Sequence, residues 1–104
     1  AVNPNIVAMQ MEGGIGYGLA AALTGAVTLK DGRVEQDNFD TYPVLRMNQM
    51  PAVDVHILPS KDKPTGVGEP GVPPLAPALA NALALANGKA VRSLPLSAQG
   101  IVLG

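Results

Sequence analysis

Four glycines fall within six residues of a segment whose flanks are helical in pattern, EGGIGYG at positions 12–18. The segment begins at Asn3-Pro4, a helix N-cap followed by a proline at the first helical position, and residues 19–23 are again strongly helical. Each glycine inside a helix costs up to about 1 kcal/mol. The helix therefore either breaks here or continues because another backbone or a ligand approaches it closely and offsets that cost.

Two later segments carry strand signals. TGAVTLKDGRVEQ predicts a β-hairpin, because Asp31-Gly32 is a turn signal and Val34 begins a returning strand. Residues 53–57 alternate between apolar and polar side chains, which predicts a further, half-buried strand. Residues 59–71 read as a loop rich in proline and glycine.

A second helix is predicted over about 74–87, with Gly88 at its end. It is apolar on every face, which is typical of a buried helix. The fold class is therefore α+β, with helices at about 4–23 and 74–87, a hairpin and a further strand. These few elements do not supply enough partners for a helix that is apolar all round. We expect residues 1–104 to be a segment of a larger domain and not an independent one.

Charge and composition exclude several functions. The net charge is −1, so no basic field is available to attract nucleic acid or an anionic membrane. The chain has no cysteine, which excludes disulfides and thiolate ligation within it, and the single His56 argues against a metal site built from side chains. An uncharged run at 13–29 is just short of a membrane span and rich in Gly and Ala, so a buried helix is favoured.

Gly16-x-Gly18-x-x-Ala21 matches a loose dinucleotide-binding fingerprint, with Asp37 or Asp40 as its acidic residue. That mechanism needs a strand directly before the glycines and a helix after them. Here a helix start precedes them, so helix packing through glycine is the favoured interpretation and dinucleotide binding the alternative.

His56 lies on the polar side of the predicted strand. An exposed or hydrogen-bonded histidine is the favoured interpretation of such a position, with catalysis as the alternative.

Glu69 is the one carboxylate in GVGEPGVPPLAPALANALA, residues 66–84. In one interpretation it caps the helix behind it, because helix N-termini favour negative charge. In the other it is a general base, held at a fixed point by stiff prolines and partly shielded from water by its Gly, Pro and Val neighbours. Glycines on both sides would let the backbone approach a bulky ligand.

Residues 66–82, GVGEPGVPPLAPALANA, resemble the C-terminal motif of the molybdenum hydroxylases, the xanthine dehydrogenase and aldehyde oxidase family. The nearest likeness is to isoquinoline 1-oxidoreductase β subunits and related bacterial aldehyde dehydrogenases. Residues 3–19 resemble the same family's Gln-x-Glu-Gly segment, and the likeness extends in order through 29–48 and 92–96. It covers nearly the whole chain up to residue 96.

The resemblance implies a role for each site residue. In the family a glutamate at the position of Glu69 is the general base of a hydroxylation at a molybdenum centre. Gln10 occupies a position that contacts the pterin cofactor, and Gly13, Gly14 and Gly68 are expected beside the cofactor too. The metal is held by the pterin dithiolene, so no protein metal ligand is expected. We further expect Glu69 to be largely shielded from water, and a Cβ at 14 or 16 to intrude on the cofactor shell.

The resemblance also implies an activity and partners. The expected function is part of a molybdopterin-dependent oxidoreductase, with the cytosine dinucleotide form of the cofactor, that oxidises aldehydes or N-heterocycles with oxygen from water. The expected partners are the remainder of the large subunit, an iron–sulfur small subunit with 2Fe–2S clusters, and a cytochrome c as candidate electron acceptor. The bacterial periplasm or the cytoplasmic membrane is favoured over the cytoplasm as location. The chain is expected to be a nicked or separately encoded C-terminal piece; the alternative is a non-catalytic packing module.

Overall fold

A computed structural model describes residues 1–101. Helix α1 spans Pro4–Thr24 without a break. The side-chain oxygen of Asn3 accepts a hydrogen bond from the Ile6 N–H at 3.1 Å, and Pro4 is the first helical residue, as predicted. The helix ends where the N–H of Gly25 donates to the Ala20 and Ala21 carbonyls. The glycine run is therefore helical throughout.

Helix α1 is long and apolar enough to cross a membrane when only its length and composition are considered. Core helices of soluble proteins satisfy the same criterion. One side of α1 packs against other parts of this chain, burying Leu19, Ala22 and Leu23. The favoured interpretation as a packed helix therefore agrees with the contacts that α1 makes.

The predicted hairpin is confirmed, and it is short. Strand β1, Leu29–Lys30, pairs antiparallel with β2, Arg33–Val34. Asp31 and Gly32 form the turn with positive φ angles of 50° and 76°, the left-handed geometry that two-residue hairpin loops require. Beyond β1 and β2 the two arms stay joined through Thr28, whose N–H donates to the Gln36 side chain at 2.8 Å.

The further strand predicted at residues 53–57 is wrong. That segment joins no ladder, and β1–β2 is the one sheet found within residues 1–101. Val53 and Val55 are half-buried and Asp54 and His56 exposed, so the alternation itself is real. Alternation specifies which side chains face inward, but a strand also needs a neighbour to accept its backbone hydrogen bonds.

Helix α2 spans Leu75–Asn87 and ends at Gly88, whose φ of 68° is left-handed and whose N–H donates to the Ala84 carbonyl. Its predicted bounds are confirmed, but its predicted burial is not found within this chain. None of its residues is fully buried, and Leu85 is 89% exposed. Two single-turn 3₁₀ helices, Met47–Gln49 and Leu96–Gln99, complete the regular structure of the described residues.

The core lies where α1, α2 and the 3₁₀ helix Leu96–Gln99 meet. Leu19, Leu23 and Leu96 form its buried centre, and Leu96 is 1% exposed. Half-buried side chains pack around that centre: Leu45, Leu75, Leu79, Leu83, Val91 and Ile101. The core is small because few large side chains are available and aromatics make up only 3% of the chain.

The chain has much more surface than a compact domain of its size. It exposes 8117 Å², whereas a compact monomer of this mass exposes about 5,500 Å². Its radius of gyration is 16.4 Å, against about 13 Å for a compact chain of this length. Both values agree with the prediction that these residues are one segment of a larger domain.

Candidate functional site

Two glycines that lie far apart in sequence meet where the loop before α2 crosses α1. A Cβ built on Gly14 would lie 3.2 Å from the Gly71 Cα, and one built on Gly71 would lie 3.0 Å from the Met11 carbonyl oxygen and 3.4 Å from the Ile15 nitrogen. Both glycines are buried. The crossing therefore brings backbone against backbone, an approach that only residues without a side chain permit.

The next turn of α1 continues the same contact. A Cβ on Gly18 would lie 3.1 Å from the Val72 carbonyl oxygen and 3.2 Å from the Leu75 side chain. Gly16 points elsewhere, towards the Met50 sulfur at 3.1 Å, and Gly13 faces open space. Three of the four glycines thus accommodate other parts of this chain. The expectation that a Cβ at 14 or 16 would meet the cofactor needs correction, because Gly71 and Met50 already occupy those positions.

The structure also decides between the two interpretations of the Gly-x-Gly motif. Gly16, Gly18 and Ala21 all lie inside α1, with a helical turn and no strand before them. Asp37 and Asp40, the candidate acids, are exposed residues beyond the hairpin. The strand–turn–helix context of dinucleotide binding is missing, and the packing contacts of Gly18 support the helix-packing interpretation.

Glu69 begins the turn that leads into this crossing. The Val72 N–H donates to the Glu69 carbonyl at 2.9 Å, which closes a four-residue turn with Pro70 and Gly71 at its centre. A second turn follows at once, in which the Leu75 N–H donates to the Val72 carbonyl at 3.3 Å. The proline fixes its own φ, so few backbone torsions remain free between Glu69 and the start of α2.

The Glu69 carboxylate makes no hydrogen bond and no ion pair with any of residues 1–101. The residue that precedes α2 is Pro74, and α2 has no side-chain N-cap. The helix-capping interpretation of Glu69 is therefore not realised in the structure. The carboxylate is exposed and borders a shallow recess beside Gly68 and Pro70. The shielding that we expected for Glu69 is not provided by the described residues.

The remaining predicted site residues lie beside the crossing along each chain segment. Gln10 precedes Met11 and Gly13 precedes Gly14, and both are exposed. Gly68 directly precedes Glu69, and neither it nor Gly13 has any atom within 4 Å of where a Cβ would stand. These segments thus offer the exposed side-chain amide of Gln10 and the exposed carboxylate of Glu69. The backbone is uncovered at Gly13 and Gly68. This set suits a polar organic cofactor with many donors and acceptors better than a bare metal ion.

His56 is not part of this arrangement. Its Nε2 lies 3.3 Å from a carboxylate oxygen of Asp54, and the two side chains are 81% and 88% exposed. A pair so open to water contributes little to stability. Of the favoured interpretation, an exposed or hydrogen-bonded histidine, the exposure is confirmed.

Reasoning from the sequence missed the role of Gly71. The glycines around Glu69 were interpreted as allowing a ligand to approach, and Gly71 in fact allows α1 to approach. A signal was present in the sequence, because two glycine-rich motifs in one small chain can pack closely against each other. The apolar hollow lined by Tyr17, Tyr42, Leu45 and Met47 was missed as well, and no sequence motif marks it.

Residues 1–51 match the family described as the molybdopterin cofactor-binding domain. The chain is 42% identical over 93 residues to the beta subunit of isoquinoline 1-oxidoreductase from Brevundimonas diminuta, a match that covers 89% of this chain and 12% of that protein. The chain belongs to the molybdopterin cofactor-binding family. Its α+β fold is accordingly a small part of a molybdopterin-binding domain.

Two further relatives match along nearly the full chain. The membrane-bound aldehyde dehydrogenase (pyrroloquinoline-quinone) of Gluconacetobacter polyoxogenes is 34% identical over 99% of this chain and 13% of its own length. A nicotinate dehydrogenase subunit of Pseudomonas putida is 34% identical over 96% of this chain and 8% of its own length. The chain therefore spans only about a tenth of the length of the curated relatives it matches.

Proposed function

We propose that this chain supplies the catalytic base of a molybdopterin-dependent oxidoreductase. One observation carries the proposal. The Glu69 carboxylate makes no hydrogen bond or ion pair within the described residues. The turn that contains Glu69 nevertheless packs, backbone against backbone, on the α1 segment that contains Gln10 and Gly14. A helix cap or an ordinary surface glutamate does not need such a frame, whereas a base must stay within about 3 Å of the proton it accepts.

In this proposal Glu69 accepts a proton from the oxygen that is transferred to the substrate. The bound cofactor supplies an activated, water-derived oxygen and receives the two electrons of the oxidation. The protein's part is to hold the carboxylate at one position, without a hydrogen-bond partner, until substrate arrives. Pro70 and the Glu69–Val72 turn restrict the backbone around it, and this restriction is what lets a side chain on a loop serve as a positioned base.

The cofactor contacts are assigned to Gln10, Gly13 and Gly68. Gln10 offers an amide that can both donate and accept, and the two glycines leave room for a planar ring system to approach the backbone. Gly14 was expected beside the cofactor as well, but its free side is covered by Gly71. We therefore assign Gly14 a packing role under the cofactor site.

The proposal extends to the whole enzyme. We infer that residues 1–104 form the C-terminal segment of a large subunit, whose remainder completes the cofactor site, and that the cofactor is the cytosine dinucleotide form. We further infer that the 2Fe–2S clusters, for which this chain offers no cysteine ligand, lie in an iron–sulfur partner, and that a cytochrome c is the candidate electron acceptor. The names of the relatives support aldehydes or N-heterocycles as substrates. One of those names includes "membrane-bound", which supports a periplasmic or membrane-associated location.

The test replaces Glu69 with glutamine in the complete holoenzyme. Glu69→Gln keeps the shape of the side chain and removes its basicity, so turnover should fall by at least about 10²-fold, the lower end for loss of a general base. Molybdenum and pterin content should stay at the wild-type level, because the carboxylate is not a cofactor ligand in this proposal. The matched control is Glu35→Gln, the same change at an exposed carboxylate on the hairpin, with turnover unchanged.

Two results would overturn the proposal. Turnover of fully loaded Glu69→Gln within a few-fold of wild type would leave the chain as a packing module without a catalytic base. A wild-type holoenzyme that contains no molybdenum or pterin would point instead to another cofactor, such as the pyrroloquinoline quinone in the name of one relative.

A further inference from the structure

We propose that Gly71 is a positioning residue for the catalytic base, in the sense that its missing side chain sets where the Glu69 carboxylate stands. The inference rests on the proposed function of Glu69. It concerns a residue two positions beyond the base that touches neither substrate nor cofactor in this assignment. Gly71 acts through its contact with α1 and through the turn that it shares with Glu69.

Close approach, and not backbone conformation, is what requires glycine at position 71. Its φ lies outside the left-handed region, in which Gly32, Gly88 and Gly100 are the glycines found among the described residues. An alanine could therefore adopt the same torsions. It could fit only after a shift of a few tenths of an ångström, because its Cβ would lie 3.0 Å from the Met11 carbonyl oxygen. A carbon against a backbone oxygen prefers at least about 3.3 Å.

The atoms that Gly71 meets cannot move aside. They are the Met11 carbonyl, the Ile15 nitrogen and the Gly14 carbonyl carbon, all inside the continuous helix α1. Moving them would disturb helical hydrogen bonds on both sides of the contact. The opposite case is Gly16, where an added Cβ would meet the flexible end of Met50. An alanine at 71 therefore displaces the loop and leaves α1 in place.

A displacement at Gly71 is transmitted to Glu69. The two residues belong to one turn, closed by the 2.9 Å hydrogen bond from the Val72 N–H to the Glu69 carbonyl, and Pro70 between them is fixed in φ. The turn therefore shifts as a unit by several tenths of an ångström. A misplacement of about 1 Å in a catalytic group can cost about 10²-fold in rate, so a loss of about 10-fold is expected here.

The experiment is a double-mutant cycle in the holoenzyme, with turnover number, KM and molybdenum content measured for each variant. Gly71→Ala alone should lower the turnover number about 10-fold with molybdenum content and KM at wild-type values. In the Glu69→Gln background the same Gly71→Ala change should alter turnover by less than about 2-fold, because no base is left to misplace. A residue with a purely structural role would lower turnover by the same factor in both backgrounds.

Two further variants make the result decisive. Gly14→Ala perturbs the same contact from the side of α1, because its Cβ would lie 3.2 Å from the Gly71 Cα. It replaces Gly71→Ala in the experiment if that variant does not fold. Lys61→Ala is the control on the same loop, since the Lys61 side chain is exposed and makes no hydrogen bond among the described residues, and it should leave turnover unchanged.

The inference is overturned by equal losses in both backgrounds, by loss of molybdenum in Gly71→Ala, or by an equal loss in Lys61→Ala. Wild-type turnover in Gly71→Ala alongside a 10²-fold loss in Glu69→Gln would overturn it as well, while leaving the proposed function intact. Near-normal turnover in Glu69→Gln would instead remove the proposed function, and the inference with it.

Discussion

Residues 1–104 expressed by themselves should not form a stable, monomeric domain. The chain exposes 8117 Å², about 2,600 Å² more than a compact monomer of its mass. If just over half of that excess is apolar, the missing burial corresponds to roughly 35 kcal/mol of hydrophobic stabilisation at about 25 cal/mol per Å². The unfolded chain is the same in both cases, so its uncertain surface does not affect this difference. Net domain stability is only about 5–15 kcal/mol, which is much smaller than the deficit.

The assay combines size-exclusion chromatography with a thermal melt followed by circular dichroism. We expect aggregation, or a monomer that is expanded and loses its helical signal gradually without a cooperative transition. The comparison is the full subunit, in which the same residues should melt together with the rest of the domain. A soluble 104-residue monomer that unfolds in one sharp, reversible transition would refute the reasoning from surface area.

Three substitutions in the full subunit test the packing described above through its thermal midpoint and urea denaturation. Leu96→Ala truncates the largest fully buried side chain of the described residues and should destabilise the domain by about 2–5 kcal/mol; a loss below about 1 kcal/mol would show that the site is not core. Gly18→Val forces a side chain against the Val72 carbonyl and Leu75, and should cost about 1–3 kcal/mol, whereas an unchanged midpoint would mean that the loop can move away freely. Asn3→Ala removes the 3.1 Å cap bond and should cost about 1 kcal/mol, and no change would indicate that solvent replaces that bond.

Local chemistry explains which elements could be predicted from the sequence. The start of α1 depends on one side chain capping one N–H, and the hairpin depends on two residues that accept positive φ, so both were identified correctly. The bounds of α2 follow from Pro74 and Gly88 in the same way. Whether α1 would continue through its glycines was not decidable locally, because the answer depended on Gly71, far along the chain.

The errors concern what surrounds an element. The alternation at 53–57 shows which side chains turn inward, but no neighbouring strand within the described residues pairs with them. The apolar surface of α2 shows that the helix requires cover, but not that this chain supplies it, and Leu85 is 89% exposed. The strand prediction assumed a neighbouring strand that the described residues do not supply. The exposure of α2 agrees with the expectation that this chain has too few elements to cover a helix that is apolar all round.

The candidate site was predictable in composition and not in arrangement. The position of Glu69 among glycines and prolines was enough to single it out as a base or a cap, and the resemblance added Gln10, Gly13, Gly14 and Gly68. Two features are visible only in the structure: α2 lacks a side-chain cap, and the Glu69 loop packs on α1. The roles of these residues towards a cofactor stay predictions until the variants are measured.

The meeting of Gly14 and Gly71 also has a consequence for the order of folding. Roughly 60 residues separate the two glycines, and closing a loop of that length costs about 3–4 kcal/mol of chain entropy. Helix α1 and the hairpin consist of local contacts and can form before that closure. The packing of the Glu69–Val72 turn on α1 can form only after it. We therefore expect the Glu69 carboxylate to reach its place among the last steps of folding, after α1 and the hairpin have formed.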